Sequence, residues 1–267
     1  MEERSRRRLA AVTGASAGIG AAFARALARD GWDLLLVARR RERLEDLAKE
    51  LGGKHDAEVE IVDADLTDLE RLRGVESLLE QSQRLELLVN NAGIGDFHPF
   101  QESDREREDA EIRLNVLATV RLAHAALPGM VERGRGALIN VSSTAGFAPC
   151  PRFATYGGTK AFLNSFTEAL HEELRGSGVQ VQALCPGLTH TEIFERAKVD
   201  ASGLPEFFWM EAEDVVAESL AALPRGDVIC VPGLANRALS TITRALPHAA
   251  SSRIASLFSE RWIPDSE

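Results

Sequence analysis

The sequence predicts an α/β fold: a doubly wound parallel sheet of seven strands with helices on both faces. Two features of the 267 residues lead there. Short Leu/Val-rich runs alternate with longer stretches of helical period. Several of those runs are apolar nearly throughout, as strands covered on both faces must be. Strand alternating with helix implies right-handed βαβ units, which build such a sheet.

The strands are expected at Leu9 to Val12, Asp33 to Val37, Val59 to Val62, Leu85 to Val89, Ala137 to Val141, Val179 to Leu184 and Val228 to Val231. Helices fall between them near residues 18–29, 40–51, 68–82, 104–133, 156–175 and 213–223. The first strand runs into Thr13-Gly14-Ala15-Ser16-Ala17-Gly18-Ile19-Gly20, which opens the first helix. A glycine cluster alone signals no more than a tight turn, but between a strand and a helix it marks a dinucleotide site. Glycines there let backbone N–H groups approach a pyrophosphate at the positive end of the helix.

The end of the second strand bears on which dinucleotide is bound. An NAD site places an Asp or Glu about 20 residues past the glycines to hold the ribose 2′-hydroxyl. This chain has Ala38 there, followed by Arg39, Arg40 and Arg41, whose guanidinium groups suit a 2′-phosphate. Asp33 lies at the wrong end of the strand to compete. The bland alternative is a solvated first helical turn, although cations at a helix N-terminus are disfavoured without an anion. NADP(H) is therefore favoured over NAD(H).

Tyr156 is the chain's one tyrosine; it stands four residues before Lys160 and thirteen after Ser143. Residues four apart share a helix face, so an ammonium there can favour the phenolate and pull the phenol below its usual value of about 10. A general acid works best when its pKa approaches the working pH. The same pair could also merely share a helix surface.

A net charge of −10 argues against a nucleic-acid partner, whose backbone calls for a basic face. Arg4, Arg6, Arg7 and Arg8 read as a solvated tail before the first strand. Cys150, Cys185 and Cys230 have no paired spacing, which fits a reducing cytoplasm. The apolar stretch after the arginines is broken by Gly14, Gly18, Gly20 and Arg25, so it does not read as a signal peptide. No run reaches the 18 or so apolar residues of a membrane span, and a soluble protein without an integral membrane segment is expected. His55, His98, His124, His171, His190 and His248 form no ligand spacing, so no metal is expected.

Thr13-Gly14-x-x-x-Gly18-x-Gly20, Asp65-Leu66, Asn90-Asn91-Ala92-Gly93, Asn115, Ser143, Tyr156-x-x-x-Lys160 and Pro186-Gly187 occur in order over about residues 8–232. In that order and spacing they resemble the short-chain dehydrogenase/reductase family, in its compact branch. The resemblance implies a single Rossmann-fold domain over 1–267 and catalysis by Asn115, Ser143, Tyr156 and Lys160. Tyr156 would protonate a carbonyl oxygen that Ser143 polarises, the thirteen-residue interval selecting Ser143 over Ser142. Lys160 would hold the nicotinamide ribose and depress the Tyr156 pKa, and Asn115 would position a water linking Lys160 to solvent.

Cofactor contacts follow the same resemblance. Gly14, Ser16, Gly18, Ile19 and Gly20 would form the pyrophosphate turn, with Arg39 and Arg40 on the 2′-phosphate. Asp65, better placed than Asp63, would meet the adenine amino group while Leu66 packs on the ring. Asn91, Ala92 and Gly93, with Asn90, would run beneath the adenosine ribose. Pro186 and Gly187 would turn beneath the nicotinamide, with Thr189 and Thr191 on its carboxamide, offering the B face of the ring. Relatives are often homodimers or homotetramers.

Residues 188–212 would be the substrate lid. Phe194, Phe207, Phe208, Trp209 and Met210 in it, with Phe97, Phe100, Phe147, Pro149, Cys150 and Phe153 nearby, suit a small apolar carbonyl or alcohol. Several of them could instead pack the lid onto the body. Gly157 and Gly158 inside the Tyr–Lys interval weaken a helix, or relieve crowding beside the substrate. Residues 234–267 form a helical extension, with Ala235, Leu239, Ile242 and Leu246 at helical spacing before Pro247. That extension could cover the substrate mouth, form a subunit interface or lie on a membrane surface.

The expected activity is thus an NADP(H)-dependent interconversion of an apolar ketone and a secondary alcohol. A 3-ketoacyl reductase of lipid metabolism is one specific form of it. An enoyl reductase is less compatible, because in this family it separates its Tyr and Lys further. The alternative of another class is a cofactor-binding sensor or scaffold without turnover.

Overall fold

A computed structural model of the chain describes residues 7–197, 206–247, 251–253 and 256. Its strands are β1 (Leu9–Thr13), β2 (Asp33–Ala38), β3 (Val59–Asp63), β4 (Leu85–Asn90), β5 (Gly136–Val141), β6 (Val179–Leu184) and β7 (Ile229–Cys230). They pair in parallel in the order β3-β2-β1-β4-β5-β6-β7. Each predicted strand is present, with ends within a residue or two.

The apolar runs become strands because both of their faces are covered. Side chains alternate across a strand, and the buried residues sort accordingly. Ala10, Val12, Leu34, Leu36 and Ala38 point into one core layer, while Ala11, Leu35 and Val37 point into the other. The first layer lies under α1 (Gly18–Arg29), α2 (Arg41–His55) and α8 (Ala212–Ala222). The second lies under α3 (Leu69–Gln81), α5 (Thr119–Glu132) and α6 (Ala154–Glu173).

Helix starts follow their caps. Asp68 accepts hydrogen bonds from the backbone of Glu70 and Arg71 at the head of α3, and Asp104 does the same for Glu106 and Arg107 at the head of α4 (Arg105–Ile112). By contrast, α1 has neither a capping side chain nor an acidic residue in its first turn. Its free N–H groups are thus left for something else. Asp33, buried at the start of β2, receives Arg84 at 2.9 Å and the Glu58 N–H at 3.1 Å. It therefore has a structural role at the end of the strand away from the arginines.

The predicted helix over 104–133 is α4 and α5 joined through a π-helical segment, Arg113–Ala118. By length and composition Arg105–Glu132 is apolar enough to cross a membrane, which the sequence reading did not anticipate; 56% of its most apolar window is buried inside the fold. Leu114, Ala118, Leu122 and Ala126 belong to the second core layer, so this is a core helix. The last elements are α7 (Ile193–Arg196) and α9 (Leu234–Ala245). Of the predicted extension, 248–250, 254–255 and 257–267 lie outside the described residues.

Sheet order reverses between β1 and β4, and ligands of open α/β sheets bind outside the carboxyl ends of the strands at such a switch point. The glycine turn leaves β1 there and Asn91-Ala92-Gly93 leaves β4.

Candidate active site

The two chain segments at the switch point are tied together by polar groups. Thr13 Oγ1 accepts from the backbone N–H groups of Asn91 and Ala92, at 2.9 and 3.0 Å, and Asn91 Nδ2 donates to the Thr13 carbonyl at 2.9 Å. Gly20 has to be glycine because a Cβ there would lie 2.4 Å from the Gly14 carbonyl oxygen. Gly18 has φ of +51°, where a side chain is strained, and its missing Cβ leaves room for Thr191.

Above this floor opens a cleft of about 910 Å³. Every predicted site residue lines it except Gly20, Asn115 and Asn90, which is buried and donates to Asn140 Oδ1 at 3.0 Å. Gly20 holds helix to strand instead, and Asn115 sits just behind, donating to the Ile94 carbonyl at 2.8 Å and to Thr159 Oγ1 at 3.1 Å. Asn115 lies within the π-helical segment, a departure from regular helix that frequently marks a functional position. A Cβ on Gly93 would come within 3.1 Å of Asn115 Oδ1 and 3.6 Å of Lys160 Nζ.

These residues fit a dinucleotide. The head of α1 offers uncapped N–H groups to a pyrophosphate, with no acidic residue in its first turn to repel it. Arg40 reaches across the turn to Ser16 Oγ at 3.0 Å and to Glu192 at 2.9 Å, while Arg39 lies 3.6 Å from Asp65. Arg41 turns away to Glu45, as a solvated first-turn residue does. Asp65 is held by Thr67, whose N–H and hydroxyl donate to it at 2.9 and 2.7 Å.

At the other end of the cleft stand Ser143, Tyr156 and Lys160. Ser143 follows β5 and caps a short turn, accepting the Ala145 N–H at 3.1 Å. Tyr156 and Lys160 share a buried face of α6. Ser142 is turned inward, donating to the Lys160 carbonyl at 2.9 Å. Lys160 Nζ donates to the Val141 carbonyl at 2.9 Å.

The expected depression of the phenol by Lys160 is not found. Burial pushes Tyr156 up to about 12, against a hydrogen bond with Ser143 that pulls it down. Burial also lowers Lys160 to about 8. Desolvation of both groups outweighs their neighbourhood, because each is removed from water while the lysine spends its hydrogen bond on a backbone carbonyl.

The aromatic wall is partly as predicted. Phe97, Phe147, Cys150, Phe153 and Phe208 line the cleft, and Phe97 meets Tyr156 edge-on with centroids 5.2 Å apart. Phe100 does not belong to it: its turn leaves it 63% exposed. Trp209 stacks on His190 instead, and Met210 packs into the first core layer. The side chains of Phe194 and Phe207 lie outside what is described. Thr189 and Met210 bridge in parallel at the base of the predicted lid, which ties the two ends of that segment to each other. From α9, Asn236, Leu239, Ser240 and Thr243 line the cleft.

Glu111, Glu192 and Arg43 escaped the sequence reading. Glu192 pairs with both Arg40 and Arg43. Glu111 lies four residues before Asn115, a spacing that puts the two on one helix face; it was hidden in the acidic run Glu106, Glu108, Asp109, Glu111. No cluster of metal-ligating side chains occurs among the described residues.

The switch-point cleft, the glycine turn and the sheet order define a doubly wound dinucleotide-binding protein. Residues 8–201 match the family model of short chain dehydrogenases, and the chain belongs to that family of oxidoreductases, which act on alcohol and carbonyl groups with NAD(P). It is 38% identical to a short-chain dehydrogenase from Sphingobium yanoikuyae solved in complex with NADPH, with a TM-score of 0.82, covering 91% of this chain and 97% of that one. A bulky-bulky ketone specific alcohol dehydrogenase from Comamonas testosteroni superposes with a TM-score of 0.77 at 32% identity, covering 91% and 96%. Hydroxysteroid dehydrogenase-like protein 1 of Gallus gallus is 32% identical over 219 residues, 81% of this chain and 65% of the relative's own length.

Proposed function

We propose that the protein is an NADP(H)-dependent oxidoreductase that interconverts an apolar ketone and its secondary alcohol, with Tyr156 as the acid/base. One observation carries this reading: the same cleft holds Arg39 and Arg40 at one end and Ser143, Tyr156 and Lys160 at the other, beside Phe97, Phe147 and Phe153. When bound, the nicotinamide supplies or accepts the hydride. Tyr156 donates its proton to the carbonyl oxygen in reduction, and Ser143 holds that oxygen by a hydrogen bond. Lys160 supplies the positive charge beneath the phenol, and Asn115, which grips the Ile94 backbone through both of its amide atoms, positions a water that links Lys160 to solvent. Arg39 and Arg40 grip the 2′-phosphate, with Asp65 and Leu66 at the adenine.

The aromatic lining supports an apolar substrate, since a phenylalanine wall offers a sugar few hydrogen-bond partners. The similarity to a ketone-specific dehydrogenase points the same way. Residues 188–212 act as the lid in this reading, and α9 closes the mouth above them. The test is a panel of ketones of increasing size and polarity, followed by loss of NADPH absorbance. Bulky apolar ketones are expected to be reduced and sugar ketones left alone. NADPH binding without oxidation by any carbonyl would replace this reading with that of a sensor.

A further inference from the structure

Beside the Tyr156–Lys160 pair lies a carboxyl group that the reaction as described does not use. Glu111 occupies the last turn of α4, one turn before Asn115, and is 1% exposed. Its Oε2 accepts the Asp96 N–H at 3.0 Å, while its equally buried Oε1 has no partner among the described residues. The side chain lines the same cleft as Tyr156 and Lys160. A buried carboxylate with a vacant oxygen costs folding free energy unless it is protonated or paired with a cation.

The groups facing it decide between those choices. Asp96, in the loop after β4, is paired with His98 and lies 3.9 Å from Arg107. Glu108 stands on the same helix, and its negative charge, like that of Asp96, works against ionising Glu111. From α6 come Tyr156 and Lys160, and Lys160 is the cation that favours the carboxylate. Cys185, which follows β6, acts on Lys160 in the same sense as Glu111.

We propose that Glu111 is a positioning residue of the proton relay: buried in the cleft that Tyr156 and Lys160 also line, with one oxygen unpartnered, its carboxyl is protonated at rest and, once ionised, holds the charge on Lys160. The purpose of this control rests on the oxidoreductase reading above. In reduction, the Tyr156 O–H bond breaks and its proton goes to the oxygen of the carbonyl that has received hydride. A proton from the Lys160 ammonium restores the phenol, and solvent returns one to the amine. Burial pushes Glu111 up to about 8 and brings Lys160 down to the same value, so the carboxylate forms over the pH range in which Lys160 would lose its proton. Glu111 also fixes the backbone of Asp96, whose neighbour Phe97 packs on Tyr156.

The test reads the carboxyl directly, without cofactor or substrate. Infrared difference spectra between about pH 6 and about pH 10 should show a protonated carboxyl band that disappears as pH rises through about 8. Glu111→Gln, which keeps an oxygen for the Asp96 N–H, should lack the band, and Glu111→Asp should move it. In turnover, the alkaline limb of the kcat/KM profile should shift to lower pH in Glu111→Gln, because Lys160 loses the carboxylate that retains its proton. Native protein without the band, or a Glu111→Gln variant that retains it, overturns the proposal; should that variant not fold, the native spectra alone decide. A band that behaves as expected in a protein that reduces no carbonyl keeps the buried protonated carboxyl and removes the oxidoreductase reading.

Discussion

Lys160 Nζ lies 5.5 Å from the centroid of the Tyr156 ring and gives its hydrogen bond to the Val141 carbonyl. The phenol consequently remains neutral well above its ordinary range, with burial as the main cause. Because Tyr156 is the one tyrosine in the chain, ultraviolet absorbance reads its ionisation without interference. At about pH 10.5 the folded protein without cofactor should show little phenolate, and the urea-unfolded chain should show most of it. Tyr156→Phe should abolish the signal in both and lower turnover about 100-fold or more while leaving NADPH bound. A folded phenol that ionises near pH 9 without cofactor would contradict this placement of the lysine.

The proposed 2′-phosphate site is partly occupied by the protein's own acid. Glu192, the residue before α7, accepts from Arg40 at 2.9 Å and from Arg43, so a phosphate must compete with it for Arg40. Arg40→Ala should weaken NADPH binding about tenfold or more and leave NADH nearly unchanged, as loss of a charge-assisted bidentate contact does. Glu192→Gln should strengthen NADPH binding by removing the competitor. Fluorescence titration with both nucleotides measures these effects; equal losses for NADPH and NADH in Arg40→Ala would take the phosphate away from Arg40.

Much of this was legible because it is written in local periodicity. The apolar strands, the glycine turn and the Tyr156–Lys160 interval all depend on neighbours in sequence. What escaped depends on neighbours in space. Nothing around Glu192 signals that it will meet Arg40, 152 residues away. Phe100 reads like Phe97, yet one faces solvent and the other packs on Tyr156. The phenol's pKa departs from the expectation for the same reason: spacing predicts which groups are near, whereas desolvation depends on everything that covers them.

The two glycines inside the Tyr–Lys interval are not equivalent. A Cβ at Gly157 would stand 3.2 Å from the Ala145 carbonyl oxygen, but one at Gly158 would meet nothing within 4 Å. Gly158→Ala should therefore stabilise the protein by about 0.5–1 kcal/mol, through helix propensity alone. Gly157→Ala should gain less or lose stability, since crowding offsets the propensity. Urea denaturation compares the two; equal gains would show that Ala145 yields freely.

Glu111 makes stability depend on pH in a way that most carboxylates do not. Its folded-state pKa is raised from 4.5 to about 8, so between those values the folded protein binds more protons than the unfolded chain. Stability from this group is therefore lost as pH rises from 4.5 to about 8. Lys160 acts with the opposite sign and in another window: lowered from 10.5 to about 8, it makes the folded state bind fewer protons there, and stability rises across that range. Glu50, held near 2 by Arg25 and Lys54, contributes alike to native protein and variant. In urea denaturation at about pH 5 and about pH 8, Glu111→Gln should gain on the native protein by on the order of a few kcal/mol between the two conditions. Parallel pH dependences would mean that Glu111 is ionised in the folded state, its orphaned oxygen satisfied by solvent.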